Sequence, residues 1–124
     1  MRSVFAMFTA VILVGFSSAA NAQLQQVKPA DGRFYCQGVF NWDLRMDVDF
    51  FGNRSSGEIY NLRTGDRTRS FGYFDDVRSN LVTTRYQLDN GARLEFPADY
   101  QLRHWFEVFY SDSYGWIRFD CNHF

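Results

Sequence analysis

The sequence predicts an all-β chain: a small antiparallel meander barrel of about eight strands, or a β-sandwich made of the same strands, with one disulfide joining the first and the last. Three observations predict it. From Arg33 onward the chain is rich in Phe, Tyr, Trp, Val and Thr, residues that suit a pleated, half-buried surface. Turn-forming clusters interrupt that run at intervals of roughly eight to twelve residues, as in sandwiches and barrels, and no long stretch shows a helical period. Two cysteines, Cys36 and Cys121, stand near the two ends of this region.

Residues 1–22 precede it. Arg2 supplies a positive start, residues 5–16 (FAMFTAVILVGF) an apolar run and residues 17–22 (SSAANA) a small-residue cleavage stretch, the three parts of a secretion signal peptide. The apolar run is shorter than the roughly 20 residues a membrane helix needs. No second run follows, and no cysteine adjoins the cleavage point to take a lipid. The expectation is a periplasmic or secreted protein with no membrane anchor after cleavage. Residues 23–32 (QLQQVKPADG) are polar and hold Pro29 and Gly32, so they are expected to form a flexible N-terminal lead. Residues 33–124 are then a single β domain.

The first strand is expected over residues 33–40, where Phe34, Cys36 and Phe40 share a side. Residues 42–50 (WDLRMDVDF) alternate strictly: Trp42, Leu44, Met46, Val48 and Phe50 face the core, and Asp43, Arg45, Asp47 and Asp49 face water. Strands over 57–62 and 68–74 follow, bounded by FGNRSS and RTGDR. Residues 81–96 read as a hairpin in which Val82, Tyr86 and Leu88 lie on the side of Ala92, Leu94 and Phe96. Its turn is DNG, whose Asn90 and Gly91 tolerate positive φ. The last two strands are expected over 103–110 and 115–121. With only short loops between strands, parallel crossovers have no room, so the chain meanders. Closing the sheet would also remove exposed edges.

In an oxidising compartment two cysteines pair most simply with each other. Both fall on the apolar side of their strands, so the bond would tie the first strand to the last from within. A closed loop of this length contributes about 4–5 kcal/mol in the loop-entropy account, a large share for a domain this small. Without residues 1–22 the chain carries 12 basic and 14 acidic side chains, scattered along its length. That excludes the basic stripe of a nucleic-acid-binding domain.

Chemistry-bearing patterns are few. The acids of residues 43–49, interleaved with Arg45, read as a solvated strand face rather than a metal site, and His104 and His123 are too few for zinc once both cysteines are bonded. No metal and no cofactor are therefore expected. Among Glu58, Glu95 and Glu107, only Glu107 lies among rings (HWFEVFY), and the sequence brings no second acid to it. No nucleophile elbow or phosphate loop is present, so no catalytic set is predicted. What stands out is the ring content of the last third, with large rings on both strand faces. Trp105, Tyr110 and Trp116 become candidate binding residues, since Trp, Tyr and Arg dominate protein interfaces. The expected function is an exported, non-enzymatic binding module with a protein partner in the envelope or extracellular space. A carrier of a small apolar ligand is the alternative, against which the many core rings speak; an enzyme of unknown type comes third.

An exported all-strand chain of this size, with FYC opening its first strand, a cysteine in its last, and SGEIY at residues 56–60, resembles the periplasmic inhibitors of C-type lysozyme. The resemblance implies an eight-stranded antiparallel barrel and an S-G-x-x-Y signature whose serine region enters the lysozyme cleft. It assigns that contact role to Ser56 and Tyr60. Two features differ from the family: Ser56 follows Cys36 by only 20 residues, and Lys28 is the sole lysine, so the lysine of the family's second motif has no counterpart.

Overall fold

The computed structural model describes residues 26–123; the secretion signal expected at residues 1–22 lies outside the described residues. Eight strands follow one another: β1 (Ala30–Gly38), β2 (Leu44–Gly52), β3 (Arg54–Asn61), β4 (Arg67–Phe74), β5 (Thr83–Leu88), β6 (Arg93–Pro97), β7 (Phe106–Asp112) and β8 (Gly115–His123). Each pairs antiparallel with the next, and β8 returns to β1, so the sheet is a closed barrel and not a sandwich. A single 3-10 turn, Tyr100–Leu102, interrupts the β6–β7 connection.

Cys36 and Cys121 face each other directly across the β1–β8 seam and are bonded, with Cα atoms 4.1 Å apart. Opposed residues in an antiparallel ladder come nearest at the pairs that share no hydrogen bond, and this pair has that spacing. Both cysteines are buried, so the seam is pinned from inside. The bond is consistent with an oxidising, exported location.

Two tight turns set the register. Phe51 pairs with Arg54, leaving Gly52 and Asn53 as a two-residue loop with Gly52 at φ 71°, the position where such a hairpin takes glycine. The DNG turn is a three-residue loop: the Gly91 N–H donates to Leu88 O at 3.1 Å, and Gly91 alone takes positive φ, at 85°. Asn90 acts through its side chain instead. Its Oδ1 accepts from the Ala92 N–H at 3.0 Å and its Nδ2 donates to the Tyr110 hydroxyl at 3.1 Å.

Several local expectations are corrected. β1 starts at Ala30, inside the stretch read as a lead, because residues 30–32 pair with 50–52 of β2 although Asp31 and Gly32 carry no strand signal. Phe40 and Trp42 lie in the β1–β2 connection and are exposed, the latter by 74 %; the alternation at 42–50 continues through a turn that period-two counting does not see. Val82 precedes β5 and is likewise exposed. β3 begins at Arg54, so Ser56 is a strand residue and not a loop residue.

The buried core comes from inward-facing residues of β1, β2 and β5–β8, with Ile59 of β3 and Phe74 of β4 partly buried against it. At one end six rings meet: Phe34, Phe50, Tyr86, Phe96, Tyr100 and Phe106, with Phe34 in contact with four of the others at 4.7–5.2 Å between centroids. Toward the other end Met46, Val48, Leu88, Leu94, Val108 and Phe119 complete it.

Two tyrosine hydroxyls fasten the start of β1 to this end. The Ala30 N–H donates to Tyr86 Oη at 2.8 Å, and Tyr86 O–H donates to Gly52 O at 2.5 Å; the Asp31 N–H donates to Tyr100 Oη at 3.0 Å. Burial pushes the Tyr86 hydroxyl up to about 12. Its ordinary value is about 10, so between roughly pH 10 and 12 the unfolded chain has released a proton that the barrel retains, and stability falls as pH rises through that window. Tyr86→Phe is expected to lose about 1–3 kcal/mol at neutral pH, the cost of leaving buried backbone groups unpaired. It should also show a smaller drop in urea midpoint from pH 9 to pH 11 than the parent protein. An unchanged drop would assign the alkaline loss to other groups.

Candidate functional site

Alternation sends every second residue of β1 to β4 outward, and the register arranges these side chains in rows. Arg54 has Phe51 and Tyr73 on either side; Ser56 has Asp49 and Phe71; Glu58 has Asp47 and Arg69; Tyr60 has Arg45 and Arg67. Ser56 therefore has the smallest outward side chain in the middle of a face of long ones. The result is a bowl of about 170 Å³ with Ser56 in its lining, bordered by Arg33, Asp47, Asp49, Glu58 and Arg69. Phe71, level with Ser56, and Phe51 and Tyr73, in the row toward the β2–β3 turn, are all exposed beside it.

The charges around the bowl are held in place. Arg33 Nε donates to Asp49 Oδ1 at 2.7 Å. Glu58 receives Arg67 at 2.5 Å and lies 3.8 Å from Arg69. Arg54 lies 5.3 Å from the Tyr73 ring centroid and Arg67 5.0 Å from that of Tyr60, cation–π distances. Exposed ion pairs contribute about 0–1 kcal/mol each to stability. Their consequence here is positional: long side chains that would sweep over Ser56 are drawn to partners instead.

Tyr60 stands at the other end of β3 from the bowl and donates to Asp47 Oδ2 at 3.4 Å. Partial burial raises its pKa first, with the Asp47 charge adding to the rise, so the phenol keeps its proton as a hydrogen-bond donor at neutral pH. Beside it runs a second groove of about 340 Å³, lined by Tyr35, Asp47, Tyr60, Trp105, Asp120 and Asn122 among others. Tyr35 and Asp47 line both depressions, so Ser56, Tyr60 and Trp105 belong to one continuous outer strip.

The remaining candidates divide. Trp105 and Trp116 are each 60 % exposed, but Trp116 lies on the outer face of β8 against Phe109, with ring centroids 5.6 Å apart, away from Ser56. Tyr110 is corrected from surface to core: it points inward, 8 % exposed, opposite Leu94 of β6 and Ile117 of β8. Sequence reasoning missed Phe51, Phe71 and Tyr73: Phe51 falls in the stretch read as the FGNRSS loop, and the expectation of a strand over 68–74 assigns it no inner or outer side. It also missed that Glu95 and Glu107 line the same groove; β6 and β7 are neighbours, so acids 12 residues apart in the chain become diagonal partners. Asp43, Asp47 and Asp49 are engaged separately, by Arg63 at 3.9 Å, by Tyr60 and by Arg33. His123 Nε2 lies 3.0 Å from Arg103 O and its ring packs on Phe106.

Inside the barrel, the space beside Met46, Ser55, Ser70, Leu88, Leu94 and Tyr110 amounts to about 10 Å³, at most room for one water. Comparison with protein-family models, with curated proteins and with solved structures finds no match to this chain.

Proposed function

We propose that this is an exported binding protein that acts by docking the outer face of β1–β4 onto a protein partner, in its sharpest form as an inhibitor of a C-type lysozyme. The observation that carries the reading is the placement of SGEIY. Ser56 and Tyr60 share the outer face of β3, and Ser56 lies in a bowl with rings exposed beside it and guanidinium groups around it. Such a surface accepts a projecting partner side chain at its centre, so Ser56 would receive a group of the partner where the resemblance implies that it enters the partner's cleft. It surrounds that group with aromatic and Arg side chains, the residue types that dominate interface energies. The closed, disulfide-tied barrel keeps the face rigid, so little conformational entropy is lost on docking.

The test is inhibition of a C-type lysozyme by the purified, oxidised mature chain. Ser56→Arg fills the bowl without touching the core, and Tyr60→Ala removes the neighbouring phenol. Each is expected to cost about 2 kcal/mol of binding, roughly thirtyfold in Kd, with an unfolding midpoint close to that of the parent. No inhibition at micromolar protein would remove the lysozyme form of the proposal. Inhibition that both variants retain would move the contact to another face.

A further inference from the structure

We propose a second binding site, for an uncharged glycan, in the groove on the outside of β6 and β7. β7 lies four strands from β3 in either direction around the ring, so the β6–β7 wall is on the far side of the barrel from Ser56, although Trp105 at its margin also lines the groove beside Tyr60. The groove measures about 460 Å³, within the range of small-ligand clefts. Its apolar lining includes Trp105, Phe109, Pro97 and Val82, with the edges of Phe96 and Phe106; its polar lining includes Glu95, Glu107 and Arg103.

The ligand class follows from how these groups are engaged. Each charge in the lining already has a partner: Glu95 lies 3.4 Å from Arg85, Glu107 is bonded to Arg118, and Arg103 lies 2.9 Å from Asp99. The groove therefore offers no unbalanced charge to an ionic ligand. An acyl chain fits no better, because it would cover carboxylate and guanidinium groups without hydrogen-bonding them. Carboxylate oxygens have acceptor capacity beyond one ion pair, so Glu95 and Glu107 can still accept from neutral hydroxyls. The rings supply the other half of the recognition. Phe109 is braced by Trp116 in an edge-on contact, and Trp105 is largely exposed. Ring faces carry partial negative charge, which suits the polarised C–H face of a pyranose. Apolar C–H faces alternating with hydroxyl edges are what a neutral oligosaccharide presents.

The experiment titrates the mature, oxidised protein with cellohexaose and with chitohexaose, following heat and tryptophan fluorescence. The expected result is saturable binding of at least one of them, unchanged when NaCl is raised about tenfold, because no net charge is matched. Affinity should fall about tenfold in Phe109→Ala and in Phe109→Leu, the second of which keeps apolar volume but removes the ring. Ser56→Arg should bind as the parent does, which separates this site from the protein-docking face. Circular dichroism and an oxidised Cys36–Cys121 bond check that each variant is folded. Absence of binding at millimolar oligosaccharide, binding that survives in Phe109→Leu, or binding that collapses with salt would each overturn the proposal. So would a dimer in sedimentation velocity that Phe109→Ala dissociates, since the groove would then be a contact between copies of this chain.

Discussion

Phe34→Ala is expected to lower the unfolding free energy by about 3–5 kcal/mol, the range for deleting a buried ring. Phe34 is fully buried and touches Phe50 of β2, Phe96 of β6, Tyr100 of the 3-10 turn and Phe106 of β7. Those neighbours sit on separate elements of a closed sheet, so none can slide inward without breaking a ladder, and most of the cavity remains open. For a domain of this size each kcal/mol corresponds to roughly 4–8 °C in Tm, which makes the loss easy to read in a thermal melt. Phe34→Leu, which preserves much of the volume, should lose far less. A loss under about 1 kcal/mol for the alanine variant would show that the ring cluster does not centre on this residue.

Removing the disulfide is the second large effect. Cys36→Ala with Cys121→Ala, or reduction of the parent, is expected to cost about 2–5 kcal/mol, seen as a lower denaturant midpoint. The bond spans 85 residues and restrains an unfolded chain that otherwise has to bring its most distant strands, β1 and β8, together against the full loop-closure entropy. Ellman titration of the unreduced protein should find no free thiol. Two reactive thiols, or a double variant as stable as the parent, would show that the seam holds by its hydrogen bonds and packing alone.

How far the site could be read from the residues depends on which rule each position obeys. Met46, Val48, Phe50, Tyr86, Leu94 and Phe96 stand where period two places them, because alternation and burial are the same statement along a regular strand. Trp42 and Val82 continue that pattern into turns and are exposed, since a turn ends the pleat without altering the count. Ser56 looked like a loop residue because NRSSG is rich in turn formers; one glycine at positive φ and one asparagine complete the turn, and the next residues are already paired. In residues 105–110 rings stand on both parities, and the mark that separates them is the single charge Glu107, which shares the side of Trp105 and Phe109. Pairing of Leu94 with Tyr110 and of Phe119 with Val108 agrees with that mark, since it turns Phe106, Val108 and Tyr110 inward.

Read alone, the amino-acid order determined that the chain is all-β, how many strands it has, the meander and the partnership of its two cysteines. These follow from side-chain period, turn chemistry and cysteine count, all of which act over a few residues or over composition. Only the tertiary structure decided that the sheet closes and that Ser56 lies in a bowl on the barrel wall. Register and closure couple residues far apart in the chain, and a shift of one position in any strand would exchange its inner and outer faces; that choice is made by the whole ladder at once.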